Sequence, residues 1–318
     1  MINAWTRNIY LAVMKRFRYL MKNFWRLSML NKYRLVSDAY KREDESDKIL
    51  PEKIIFLSVE GNDTEKEYFD GVSRCREKIG INARIDVEVL GRSKKDTNSA
   101  PQQVLELLEE YIRLRQQNED DMLREISEEF KETYSIEFIE RYLKDPGQIP
   151  KKQRNIFTTE LKKIGYDIEY RKYLRKYNKD WDVFAVLIDR DKETHSETNM
   201  YDCIKHCRDK EYRCYIANPC FEFWLLMHLA DIMNEYGDQL DDIKQNIKKS
   251  NHHTFVSEKV SELGHHGKHG IKFEENYLPN IDKAIEQAKI FASDEEDLVD
   301  NIGCNLWKLM EELKSYKR

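Results

Sequence analysis

Val183-Phe184-Ala185-Val186-Leu187-Ile188-Asp189-Arg190-Asp191 decides how this chain folds. Six apolar residues in succession read as a strand buried on both faces of a sheet. The run stops at Asp-Arg-Asp, which sets two carboxylates at the strand's carboxyl end. In open α/β sheets that edge is where ligands bind. Side chains two apart on a strand point the same way, so Asp189 and Asp191 can address one hard cation such as Mg²⁺ or Mn²⁺.

Working outward, three further strands are legible. Lys53 to Val59 is the first; it ends at Glu60-Gly61-Asn62-Asp63-Thr64-Glu65 and leads into a helix to about Ile79, with Asn62 or Asp63 as N-cap. Ile85 to Leu90 is the second, followed by the polar loop Gly91 to Ser99 and a helix over Gln102–Gln117 opened by Pro101. After the Asp-Arg-Asp strand come a helix from about Thr198 to Lys210 and a strand from Tyr212 to Ala217. Asn218-Pro219 and a very apolar helix through Leu229 follow. The β-α-β-α-insert-β-α-β-α order predicts an α/β fold: a mostly parallel sheet with helices on both faces. The spacing divides the chain into an N-terminal region over 1–47, a sheet domain over 48–230 and a helical C-terminal region over 231–318 that packs on the core. The segment 118–180, dense in charge and in Tyr, Phe and Ile at helical spacing, reads as an inserted helical subdomain, because aromatics this frequent argue for a packed face.

Charged residues make up 36% of the 318 and the net charge is −5, yet residues 1–36 hold eight Lys or Arg and no Asp or Glu. Trp5, Ile9, Val13, Phe17, Leu20 and Phe24 give that basic arm the spacing of an amphipathic helix. Its longest apolar stretch, Ile9 to Met14, is too short to span a membrane, and Lys15-Arg16-Phe17-Arg18 interrupts any signal-peptide core. The aromatic stripe favours a partner groove or self-association into a homo-oligomer over bare phosphate binding. Six cysteines show no disulfide framework, the pattern of a reduced, cytoplasmic protein.

In a parallel sheet the carboxyl ends of the strands share one edge. Glu60, the Asp189–Asp191 pair, Asn218 and Glu222 are therefore expected to converge. Several carboxylates in one place repel unless protonated or bound to a divalent cation, and an all-oxygen set suits Mg²⁺ or Mn²⁺ over zinc. Such a site supports phosphoryl transfer. A purely structural account also exists for the last group: Asn218 as N-cap, Pro219 in the first helical turn, and Glu222 favourably placed near the helix dipole.

Three motifs then carry a resemblance. Val59-Glu60-Gly61-Asn62-Asp63-Thr64-Glu65-Lys66-Glu67-Tyr68-Phe69, the stretch Asp182 to Asp191, and Asn218-Pro219-Cys220-Phe221-Glu222-Phe223-Trp224-Leu225-Leu226-Met227-His228 resemble the RloB family's three motifs in order. The tail Asn301 to Leu309 is similar to its closing motif but lacks the proline. The resemblance implies a Toprim-like catalytic fold in which Glu60 is the general acid/base or a metal ligand and Asp189 and Asp191 bind catalytic Mg²⁺. Asn218 and Glu222 complete the pocket, with Gly61, Thr64 and Glu65 in support. It further implies a nuclease acting on nucleic acid, paired with an ABC-type or OLD-like ATPase in anti-phage systems of the abortive-infection type. A non-catalytic sensor or scaffold on the same fold stays open beside it. The basic arm and the 118–180 insertion depart from the family pattern.

Elsewhere, Arg92, Lys94 and Lys95 supply cations on the loop after the second strand, and Lys268 and Lys272 do so in a His-rich stretch; all five are candidate nucleic-acid contacts. His265 and His269 share a zinc-helix spacing, but Gly264, Gly267 and Gly270 argue for a loop. Cys203 and Cys207 lie on one helical face and suit burial, and His228 reads as a packing histidine.

Overall fold

A computed structural model describes residues 51–61, 63–90, 100–116, 121, 123, 124, 126, 128–163, 181–250, 253–266 and 270–316. The basic arm lies outside the described residues, as do Arg92, Lys94, Lys95 and Lys268. Five strands form one sheet in the order β2-β1-β3-β4-β5: β1 (Lys53–Val59), β2 (Ile85–Val89), β3 (Val183–Asp189), β4 (Arg213–Asn218) and β5 (Gly303–Cys304). The first four are parallel, and β5 pairs antiparallel to β4. The two expected register limits move by one residue, so Asp189 and Asn218 are the last residues of their strands.

This order has a consequence for the site. From β1 the chain moves outward to β2, then crosses back to β3 on the other side of β1. The loops after β1 and β3 therefore diverge at a topological switch point, where parallel sheets open a crevice. Glu60 follows β1 and Asp189 ends β3, directly at that crevice.

Alternation along β1 assigns the two faces. Ile55, Leu57 and Val59 pack with Tyr68 and Phe69 of α1 (Thr64–Arg74), with the apolar helix α6 (Phe221–Leu229), and with the C-terminal helix α9 (Leu306–Ser315). Phe56 turns the other way, stacking at 4.8 Å between ring centroids on Tyr111 of α2 (Pro101–Gln116). On that face the Ser58 hydroxyl donates to the Val104 carbonyl at 2.7 Å, and α5 (Glu197–Asp209) lies near α2 through Cys203 and the Pro101 carbonyl. Helices thus cover both faces. α6 is buried almost all round because α7 (Phe255–Gly264) and α8 (Ile281–Ala288) cover its outer side. Each fully buried large apolar side chain there contributes about 1.5–3 kcal/mol. His228 sits inside this packing with Nδ1 at 2.9 Å from the Trp224 carbonyl and Nε2 at 3.1 Å from the Tyr68 hydroxyl, and burial lowers its pKa to about 3.

Two expected caps differ. Asp63 precedes α1 without a side-chain capping bond. α6 begins at Phe221 with Cys220 at the N-cap position; Asn218 is instead buried in β4 and its amide donates to the Leu298 carbonyl at 2.8 Å. An Asn-Pro-Cys turn, with a cis Asn218–Pro219 bond, separates strand from helix.

The described residues fall into two compact units. The smaller, within 113–163, is helical: α3 (Ile136–Lys144) and α4 (Lys151–Lys163) close on a core of their own centred on Phe157, with Ile139, Tyr142 and Leu143. Ser135 caps α3 by accepting from the Phe138 N–H. Among the described residues no helix is long and apolar enough to cross a membrane, and all six cysteines are free and buried.

Candidate metal and phosphoryl-transfer site

The crevice at the carboxyl edge is a cleft of about 330 Å³. Asp189, Asp191, Glu193 and Glu222 line it, so three of the four expected catalytic carboxylates open into one space. Asp189 and Asp191 are each fixed by a backbone group. The Asp189 carboxylate accepts the N–H of Phe221 at 2.9 Å, so a strand-end side chain supplies the capping acceptor that Asn218 does not. The Asp191 N–H donates to the Pro219 carbonyl at 3.1 Å, and its own carboxylate accepts from Glu193 N–H at 3.2 Å. Glu222 lies in the first turn of α6.

Glu60 stands behind Asp189. Its Oε2 accepts the Asp189 N–H at 3.2 Å, and its Oε1 is 3.5 Å from Nε2 of His195, a buried residue that sequence reasoning missed. The His195 Nδ1 is 3.0 Å from the Asp189 carbonyl oxygen; a carbonyl only accepts, so Nδ1 carries a proton. Nε2 and Glu60 Oε1 then attract each other when a second proton lies between them. Arg190, also buried, points away from the cleft: its guanidinium donates to the Val299 carbonyl at 2.5 Å and to the His195 carbonyl at 2.8 Å, holding the Asp-Arg-Asp turn from behind.

The opening motif divides between chemistry and architecture. Glu65 folds back so that its carboxylate accepts the Gly61 N–H at 2.9 Å. A Cβ on Gly61 would meet that carboxylate, so a larger residue there requires the Glu65 side chain to move. Glu67 accepts from the N–H groups of Gly270 and Ile271 at 2.7 and 2.8 Å. Thr64 opens with Glu222, His253 and His266 onto a small recess of about 20 Å³. Lys272 does not line the cleft; it is exposed and pairs with Glu275 at 3.7 Å.

Burial first, and then the charges of Glu60, Glu65 and Glu222, push the Asp189 carboxyl well above the usual carboxylate range; the Phe221 N–H partly offsets this. Such a crowd is what a hard divalent cation relieves, and an all-oxygen donor set fits Mg²⁺ or Mn²⁺. Among the described residues no group of three His, Cys, Asp or Glu side chains is already gathered around a common point for a metal ion. The donor chemistry fits; the side chains remain spread across the cleft.

The same lining carries basic residues, most of them from the C-terminal region. Lys244, Lys248 and His253 are among them, with Lys192 beside the acidic turn. Burial lowers the pKa of Lys192, and the nearby cations Lys244 and Arg190 lower it further. Nothing in the periodicity of 240–254 marks these residues, since they are brought to the cleft by tertiary packing alone.

Neither the curated proteins nor the solved structures returned a significant match. The family model described as RloB-like protein matches residues 55–313. That span begins within β1, ends within α9 and takes in all of the strand-end residues around the cleft, so the chain belongs to the RloB-like family.

Proposed function

We propose that the protein is a Mg²⁺- or Mn²⁺-dependent nuclease with a Toprim-like catalytic fold, the effector of a prokaryotic anti-phage system of the abortive-infection type. One observation carries the reading: Asp189, Asp191 and Glu222 line one cleft at the switch point of a parallel sheet with Glu60 behind them, around an Asp189 that burial and its like-charged neighbours hold toward protonation. Asp189 and Asp191, with Glu60, are the residues to hold the cation, and Glu222 closes the set. When bound, a divalent cation supplies Lewis-acid polarisation of a phosphoryl oxygen and activation of water. Glu60 is suited to hold or move a proton at Oε1, where His195 backs it. Control by an ABC-type or OLD-like ATPase rests on family membership.

The test is direct. Purified protein with Mg²⁺ or Mn²⁺, with and without an ABC-type or OLD-like ATPase partner, is expected to cut labelled DNA or RNA. Asp189→Asn keeps an acceptor for the Phe221 N–H and therefore the fold, while activity falls on the order of 10³-fold or more. A wild-type protein that binds neither cation by calorimetry would rule the reading out.

A further inference from the structure

Resting on that reading, the cleft's basic lining names what is held there. We infer that Lys244 and Lys248, with Lys192, form a phosphate subsite that grips a single nucleic-acid strand against the carboxylates. The three lysines and four carboxylates line one cleft of about 330 Å³, yet no ion pair within 4.0 Å joins them. Elsewhere Lys53, Lys66, Lys205, Lys259, Lys289 and Lys314 pair with carboxylates, while surface lysines outside the cleft, such as Lys151 and Lys210, do not. Among the described residues Lys244 and Lys248 have none, although the chain carries more acidic than basic residues, 59 against 54. Two unpaired cations sharing a cleft with a carboxylate crowd complement a ligand that presents both an anion and a hard cation, as a metal-bearing phosphodiester does.

The basic lining is built in advance. Asn246 adopts a left-handed conformation, φ 43° and ψ 43°; its side-chain oxygen accepts the Val256 N–H at 2.9 Å and its amide reaches the Cys220 sulfur at 3.5 Å. That one residue ties the basic segment to the turn carrying Glu222. Lys249 and Ser250 N–H groups both donate to the His253 carbonyl, closing the loop between the lysines and α7. The first N–H groups of α7 are already used, Phe255 by Ile247 and Val256 by Asn246, so the helix end does not bind the anion and the ammonium groups do. Ammonium groups read a phosphate as a point charge and carry no base preference. The volume, near the lower limit of about 300 Å³ for ligand pockets, takes one phosphate with its sugar, the repeating unit of a single strand.

The experiment uses the full chain in EDTA, where cutting cannot occur, and measures anisotropy of a labelled 12-nucleotide single strand against salt. Lys244→Gln and Lys248→Gln are each expected to reduce the log–log salt slope by about 0.7 and weaken binding about fivefold at 0.1 M salt; the pair together weakens it about 25-fold. Lys244→Arg keeps wild-type binding, and Lys205→Gln, on the exposed face of α5, changes nothing. The subsite is refuted if the double variant binds within twofold of wild type, if Lys205→Gln weakens binding equally, or if wild type does not bind at low salt. Absence of cutting by the wild type with Mg²⁺ or Mn²⁺, while the slope still falls in the lysine variants, would refute the nuclease reading and leave the subsite standing.

Discussion

At the scale of single residues, His228 shows how far burial sets chemistry. It lies in the third motif, yet its two ring nitrogens are spent on Trp224 and Tyr68 within the core. Its pKa is about 3 in the folded chain and about 6.5 unfolded, so the unfolded chain binds the extra proton between those values. Stability from a neutral His228 is therefore complete above about pH 6.5. It drains away as pH falls toward 3, by up to about 1.4 kcal/mol per pH unit. Urea unfolding of wild type against His228→Gln should show a difference constant above pH 7 and shrinking below it; a difference that is flat with pH would mean that the ring binds its proton equally well folded and unfolded. The carboxylates of the site were readable because each sits where an apolar strand gives way to polar sequence. His195 was not, since its role depends on two partners, Glu60 and the Asp189 carbonyl, that meet only after β1 and β3 pair.

At the scale of elements, four parallel strands were legible to within a residue or two, because the apolar runs of β1, β3 and β4 and the apolar–polar alternation of β2 lie between turn signals. β5 was not: two residues, Gly303 and Cys304, carry no periodicity. What holds it is the residue after it. Buried Asn305 accepts the Ile216 N–H at 2.7 Å and donates to the Cys214 carbonyl at 3.0 Å, so its side chain imitates one more strand residue beside β4. This gives the family's closing segment a structural meaning. Asn305→Ala strands both backbone groups, and a loss of about 2–4 kcal/mol is expected from the urea midpoint at unchanged m-value. Asn305→Asp should do no better, because its second oxygen would face the Cys214 carbonyl. Recovery of wild-type stability in Asn305→Asp would show that the donor half of this mimicry is dispensable.

At the scale of the whole molecule, the aromatic density of 118–180 pointed to packing rather than to a solvated spacer, and the described part of that region does close on Phe157 with a core of its own. The extent of the unit was less legible, since α2 carries one uninterrupted helical pattern across the boundary between the two units. Two cores that share no residues predict two transitions: far-UV circular dichroism and tryptophan fluorescence should not coincide in urea, whereas coincident curves would show the units unfolding together. The order of the strands bears on how the protein is made as well. β1 finds its central neighbour only when Ile55 meets Val183, and the cleft gains its basic lining only when the segment beyond residue 240 arrives. Contacts of such long sequence separation form late and slowly. A chain still emerging from the ribosome therefore lacks an assembled centre, and whatever reaction this cleft performs is withheld from the cell until the segment beyond residue 240 has been synthesised and has packed.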